Sequence, residues 1–478
     1  MIQELKPYPA YKDSGVPWLG EVPEHWTLRR TKTLLRERGE KGFPNEPLLT
    51  ATQTKGVVRK EQYENRTVLA LKDLHLLKLV RVGDFVISLR SFQGGIEYAH
   101  EQGIISPAYT ILYPAEREIH NFLAWLFKSR PYIENLSLFV TGIRQGQNID
   151  YEKLSRSELP VPPLPEQAAI GRFLDHADRR IRRYIRAKQK LITLLNEQKQ
   201  AIIHRTVTRG LNPNVRLKPS GVEWLGDVPE HWEVAPLRRV TISRCDGPFG
   251  SGLKSSHYTD QGIRVVRLQN IGHAEFKDSD AAFISPAHYA SLGDHTVEAG
   301  DVLIAGLGDE RHPAGRACVA PASITPAMVK ADCFRFRLDP SRVNSDFAAI
   351  HLTATAVSAS AILSTGATRQ RTNLLSTAAR AVCIPPLREQ EAIVAGISSD
   401  TALLNAAIHG AQSEIDLLRE YRTRLIADVV TGKLDVREAA AQLPDDPDPL
   451  DEPEPFDEEL EEAEDQESDV TPQEEQNL

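Results

Sequence analysis

Cysteine is scarce in this chain of 478 residues: there are four, at 245, 318, 333 and 383, and no two form a C-x-x-C pair. That spacing speaks against a zinc site and for buried thiols in a reducing cytoplasm. No stretch approaches the roughly 20 apolar residues of a membrane span, so no membrane partner is expected. Charged residues and prolines follow Met1 before any apolar run, so no signal peptide is expected there. Catalytic signatures are missing as well. The glycine-rich loop at 247–254 ends in Lys254 without the G-K-[ST] context of a phosphate-binding loop. There is no Asn-Pro-Pro-aromatic motif of an adenine methyltransferase and no G-x-G-x-x-G after a strand. Neither a G-x-S-x-G elbow nor an H-E-x-x-H helix occurs. Carboxylates abound, but none sits in a repeated, glycine-framed position that would suggest a general acid and base. The chain reads as a recognition protein with no catalytic residues, no metal site and no cofactor of its own.

The formal charge of −9 conceals a division. Residues 441–478 hold 17 acidic residues and neither Lys nor Arg, so residues 1–440 carry +8. A moderately basic body with an acidic tail suggests different partners from an acidic protein. The tail is rich in Pro, Asp and Glu and too poor in aliphatics to fold alone. It reads as a disordered, solvated segment, or as a competitor for a basic surface.

Two segments repeat in the same order. WLGEVPEHW at 18–26 returns as WLGDVPEHW at 224–232, an offset of 206, and PPLPEQ at 162–167 returns as PPLREQ at 385–390, an offset of 223. The second intervening region is therefore 17 residues longer. The prolines and tryptophans around His25 and His231 suggest a packed docking element rather than ligands or bases. From each proline pair runs a long charged segment with apolar residues at alternating steps of four and three. In the first these are Ile170, Leu174, Ala177, Ile181, Tyr184, Leu191, Leu195 and Ile202, interrupted by Lys188 and Gln198. In the second they include Ile393, Ile397, Leu404, Ile408, Ala411, Ile415, Leu418 and Leu425. Such a seam predicts two long helices packed on each other, each roughly 60 Å long at about 1.5 Å per residue.

The expected organisation is a globular segment 1–160, a helix 161–211, a second globular segment 212–381, a second helix 382–437 and the acidic tail 438–478. The fold class expected is α+β: two globular mixed α/β regions, each followed by a long helix, with the helices in an antiparallel coiled coil and an internal pseudo-twofold repeat. In the first variable region, 31–155, a Gly83-Asp84 turn leads into a buried strand at 85–88, a polar loop follows at 90–95, and 121–129 looks helical. In the second, 240–380, Gly300-Asp301 repeats that turn and strand, and 263–268 reads as a strand.

Polar residues suited to nucleic acid gather in the loops. The candidates for DNA contact are Gln53, Thr54, Lys55, Arg90, Ser91, Gln93, Arg144 and Gln145 in the first half. In the second they are Ser251, Lys254, Gln269, Asn270, Arg369, Gln370 and Arg371. Two unlike reading surfaces held apart by rigid helices suit two unlike half-sites at a fixed separation. Arg179, Arg182, Arg183 and Arg186 on the first helix are either solvated or placed for a partner or DNA phosphates.

The two SGVxWLGxVPEHW boxes and the two PPLxEQ helix starts are joined by GDFVISLRSFQGG, GIISPAY, GPFGSGL and GDVLIAGLG. Together, over about residues 10–437, they resemble the specificity subunits of type I restriction–modification enzymes. The acidic tail departs from that pattern. The resemblance implies two target recognition domains reading a split asymmetric site on double-stranded DNA, with the helices as a ruler between them. It implies two modification subunits that use S-adenosylmethionine to methylate adenine, and restriction subunits that use ATP and magnesium. It also implies a cytoplasmic location. Two other classes stand beside it: a stand-alone nuclease with an unrecognised site, and a coiled-coil scaffold that binds protein only.

Overall fold

The repeated Pro-Pro-Leu-x-Glu-Gln text starts both long helices, which span Leu164–Arg209 and Leu387–Val430. Proline is tolerated there because the first-turn N–H groups have no intrahelical acceptor. Gln167 Nε2 turns back to donate to the Pro162 carbonyl at 2.7 Å, and Gln390 Nε2 does the same to Pro385 at 2.7 Å. Each helix stops at a glycine in the left-handed region, Gly210 (φ 76) and Gly432 (φ 77). Gly432 is also sterically required: a Cβ there would lie 2.3 Å from Pro23 Cδ.

The computed structural model describes residues 5–53, 55–62, 73–116, 119–141, 148–248, 252–293, 295–309, 312–363 and 370–444. The expected acidic tail lies almost wholly outside them. The chain divides into two units, one of residues 1–190 with 412–478 and one of 191–411. The divisions fall inside the helices rather than at their ends. Each unit therefore holds one globular region, the start of the helix that follows it and the end of the other helix.

In the first unit the helix segments run antiparallel. Lys188 pairs with Glu414 at 2.6 Å, and ten residues earlier Asp178 pairs with Arg422. Ile170, Leu174, Ala177 and Ile181 are buried in one cluster with Leu425, Ile426, Val429 and Val430. In the second unit Val207 near the end of the first helix shares a cluster with Ile393 and Ile397 at the start of the second. Leu195, Ile202, Leu404 and Leu418 are half-buried. The expected seam needs a correction at its centre: Tyr184 and Leu191 are 51% and 41% exposed, and Gln198 is exposed. Ile185, Ile192 and Lys199, one residue later in each case, are the partly buried positions. A helix of 3.6 residues per turn drifts about 20° per heptad against a strict seven-residue repeat, and one residue of slip over these turns is that drift.

Both globular regions carry the same four-stranded antiparallel sheet. In the first unit the order is Leu35–Arg38, Thr110–Pro114, Phe85–Ile87, Glu97–Tyr98; in the second it is Thr241–Asp246, Cys333–Leu338, Val302–Ala305, Ala317–Val319. The Gly-Asp turns lead into corresponding strands. Asp84 accepts from the Arg81 N–H at 2.9 Å and Asp301 from the Glu298 N–H at 2.8 Å. Each buried carboxylate also receives two nitrogens of one arginine, but from different strands. Arg38 stands on the edge strand, at 2.7 and 3.0 Å from Asp84; Arg337 stands on an inner strand, at 2.9 and 2.9 Å from Asp301. The second region also has a five-stranded sheet in which Ile263–Val266 and Ala327–Val329 pair in parallel.

The tryptophan boxes dock onto the helix starts. Trp26 and Trp232 are fully buried, each contributing about 4 to 6 kcal/mol of transfer free energy. Glu166 in the first turn of its helix is buried and accepts from Tyr8 OH at 2.6 Å, His25 Nε2 at 2.7 Å and Trp26 Nε1 at 2.8 Å. Burial and the Glu166 carboxylate together drive the Tyr8 hydroxyl well above its ordinary pKa. The counterpart Glu389 receives His231 Nε2 at 2.8 Å, while Trp232 Nε1 has no hydrogen-bond partner among the described residues.

His351 lies fully buried in the second unit, its Nε2 accepting from the Cys383 N–H at 3.3 Å. Burial lowers its pKa to about 3. The unfolded chain takes up that proton below the ordinary value of about 6.5 and the folded unit does not, so stability present above 6.5 is lost as pH falls toward 3. By pH 4 the loss amounts to about 3 kcal/mol. Chemical denaturation between pH 7 and 4 should show it, and His351→Gln should flatten the slope.

Candidate nucleic-acid interface

Lys128 organises the polar surface of the first unit. It follows the helix His120–Phe127, and its Nζ donates to the carbonyls of Gln53 and Gly94, both at 2.9 Å. The same Nζ stands 2.6 Å from Glu97 Oε2. Gln53 sits at the turn of the hairpin Leu49–Thr52 with Gly56–Arg59, and Gly94 ends the short helix Ser91–Gly94. A Cβ on Gly94 would lie 2.8 Å from Gln53 Cγ, so the two segments touch. Burial raises the Glu97 carboxyl to about 7, against the opposing pull of Lys128.

Gln53, Lys55 and Lys128 line a cleft of about 750 Å³ together with Tyr98, His100 and Trp125. The helices supply Arg182, Arg186 and Gln189 from the first and Arg419 and Arg422 from the second. Asp175 is the carboxylate lining it and accepts from Trp125 Nε1 at 2.8 Å and Asn121 Nδ2 at 3.3 Å. Behind it Asp178 pairs with Arg182 at 2.9 Å and with Arg422. A predominantly cationic groove with two aromatic rings and amide side chains can hold a phosphate backbone and offer hydrogen bonds to base edges.

The expected residues divide by exposure. Arg90 and Gln93 are exposed and flank Ser91. Ser91 itself is buried, its Oγ accepting from the Ser88 N–H at 2.8 Å, so it serves the turn and cannot meet DNA. The segment read as a polar loop is a helical turn for the same reason. In the second unit Lys254 is exposed, and its backbone N–H donates to His257 Nδ1 at 3.1 Å. Gln269 is exposed and bonds Asp280. Asn270 is a second correction: it is fully buried, its Nδ2 donating to the carbonyls of Lys277 at 2.9 Å and Asp280 at 3.0 Å. Gln370 and Arg371 form a short strand against Leu307–Gly308, with Arg371 bonded to Asp332 at 2.9 Å. Thr54, Arg144, Gln145, Ser251 and Arg369 lie outside the described residues.

Arg316 does in the second unit what Lys128 does in the first, and sequence reasoning missed both. It is buried, and its guanidinium donates to the carbonyls of Ile271 at 2.8 Å, Leu307 at 3.0 Å and Leu268 at 3.2 Å. It thereby ties the turn bearing Gln269 to the strand that pairs with Gln370 and Arg371. The two cations occupy unrelated places in the repeat, so no sequence periodicity marks them.

Burial raises the thiols of Cys318 and Cys383 to about 12 and pushes Cys333 upward as well, which keeps them protonated. Among the described residues no group of three or more His, Cys, Asp or Glu could hold a metal ion. No helix among them is long and apolar enough to cross a membrane.

No family model matches the chain. It is 22% identical over 441 residues to the putative type I restriction enzyme MjaX specificity subunit of Methanocaldococcus jannaschii, covering 88% of this chain and 96% of that relative. The type I restriction enzyme MjaVIII specificity subunit of the same organism is 22% identical over 227 residues, 48% of this chain and 50% of its own length. A solved chain from work on complex assembly and conformational transition of the type I R-M system has a TM-score of 0.62 at 16% identity. That match covers 86% of this chain and 99% of that one. Over nearly its whole length the chain is thus similar in sequence to specificity subunits of type I restriction enzymes, and in fold to a chain solved in work on the type I R-M system.

Proposed function

We propose that this chain reads a bipartite, asymmetric site on double-stranded DNA, one half with each globular region, and scaffolds adenine-methyltransferase and restriction subunits. The observation that carries the reading is a shared frame with unlike surfaces. Both units have the same four-stranded sheet, the same Gly-Asp turn and the same tryptophan dock, yet their polar loops are held by different cations from different places. A common frame with different loops suits two half-sites of different sequence.

The chain contributes specificity and assembly and binds no cofactor itself. S-adenosylmethionine, ATP and magnesium belong to the partner subunits, and the location is cytoplasmic. Coexpression with a neighbouring modification subunit should yield a stable complex that methylates adenines in a split sequence with a fixed spacer. A methylome of the host with and without the gene reads this directly. The split motif should vanish with the gene; its persistence, or methylation without sequence preference, would refute the reading. Metal-dependent cleavage of DNA by this chain alone would favour a nuclease instead.

A further inference from the structure

Between Arg172 and Lys190 the first long helix carries eight Arg and Lys against two Asp. Arg182 and Arg186 from this stretch face the cleft of the first unit, where Arg419, Arg422, Lys55 and Lys128 join them. Among these, Asp178 pairs with both Arg182 and Arg422, and Glu97 with Lys128. The end of the described chain is tethered to the same helix. Arg172 Nη2 donates to the carbonyls of Leu443 at 2.6 Å and Pro444 at 3.1 Å. From there residues 445–478 carry 17 Asp and Glu and no Lys or Arg.

Arg172, Asp175, Arg182 and Arg186 follow one another along one helix face, so the tether lies about 20 Å from the far end of that row. Thirty-four residues reach at most about 110 Å when extended, several times the distance required. We propose that residues 445–478 dock in the basic cleft of the first unit and compete there with DNA phosphates. This rests on reading the cleft as part of the DNA-binding surface. Tethering places the carboxylates near the cleft at an effective concentration on the order of millimolar. Non-specific DNA, which binds through phosphates alone, must displace them; a cognate site adds base contacts and displaces them more readily. Because both kinds of DNA displace it, the tail lowers both affinities by the same factor: it weakens non-specific occupancy and leaves the ratio of specific to non-specific binding unchanged.

The test compares the full chain with a full-length variant in which the 17 Asp and Glu of 445–478 are replaced by Asn and Gln. Carbodiimide coupling of the unmodified chain should join tail carboxylates to Lys55, which lines the cleft. Coupling instead to Lys254, Lys277 and Lys330 of the second unit, or none within the chain, would overturn docking. For a DNA duplex of random sequence, the neutralised variant should bind roughly tenfold more tightly at about 50 mM salt, with the gap closing near 0.5 M. Cleft coupling with equal affinities would overturn competition. A separate arm adds Arg182→Glu and Arg419→Glu to the neutralised variant: unchanged DNA affinity there would show that the cleft does not bind DNA, a failure of the functional reading separable from failure of tail docking.

Discussion

Glu166→Ala is expected to destabilise the first unit by about 3 to 5 kcal/mol, whereas Glu389→Ala should cost the second unit about 1 kcal/mol or less. The two carboxylates occupy the same place in the repeated helix start, so the sequence alone predicts equal effects. Glu166 is buried and takes three hydrogen bonds, two of them from the buried Tyr8 hydroxyl and Trp26 indole. Removing it leaves both donors without a partner where water does not reach. Among the described residues Glu389 takes one, from a half-exposed His231, and the Trp232 indole already stands without a partner. Denaturant titrations of both variants in the full chain measure the difference. Equal losses would contradict the asymmetry, and Glu166→Gln, which keeps an acceptor, should fall between wild type and alanine.

Lys128→Met should cost about 3 to 5 kcal/mol at pH 8 and much less at pH 5. At pH 8 it strands the buried Glu97 carboxylate without its counter-charge and frees the carbonyls of Gln53 and Gly94. At pH 5 Glu97 is protonated, since burial raises it to about 7 from the ordinary 4.5. The sign is that of an acid whose folded pKa is raised: its contribution is fully present below 4.5 and is lost as pH rises through 7, by about 3 kcal/mol in the wild type. The double variant Lys128→Met with Glu97→Gln should recover most of the pH 8 loss. DNA affinity should not recover with it, because the Gln53 and Gly94 segments stay unclamped. Full recovery of both would remove Lys128 from its positioning role.

These two sites show what the sequence made legible. The paired boxes, helix starts and Gly-Asp turns were visible because each places the same chemistry at a repeated position: Trp26 and Trp232 against Glu166 and Glu389, Asp84 and Asp301 before a buried strand. The clamps were not visible, because Lys128 and Arg316 reach their loops from different elements and look like ordinary surface cations. Ser91 and Asn270 misled for the opposite reason. Small polar residues in glycine-containing stretches suit base contacts and turn-making equally, and only burial separates the two uses. Tyr184 and Leu191 followed a strict heptad that a real helix of 3.6 residues per turn does not keep.

The most direct test of the whole account is to exchange residues 31–155 for the corresponding region of a relative with a different target, leaving both helices and the second region intact, and to map the methylated sequence of the assembled complex. One half-site should change while the other half-site and the spacer length stay as they were. An unchanged target, or a change in both halves at once, would contradict it.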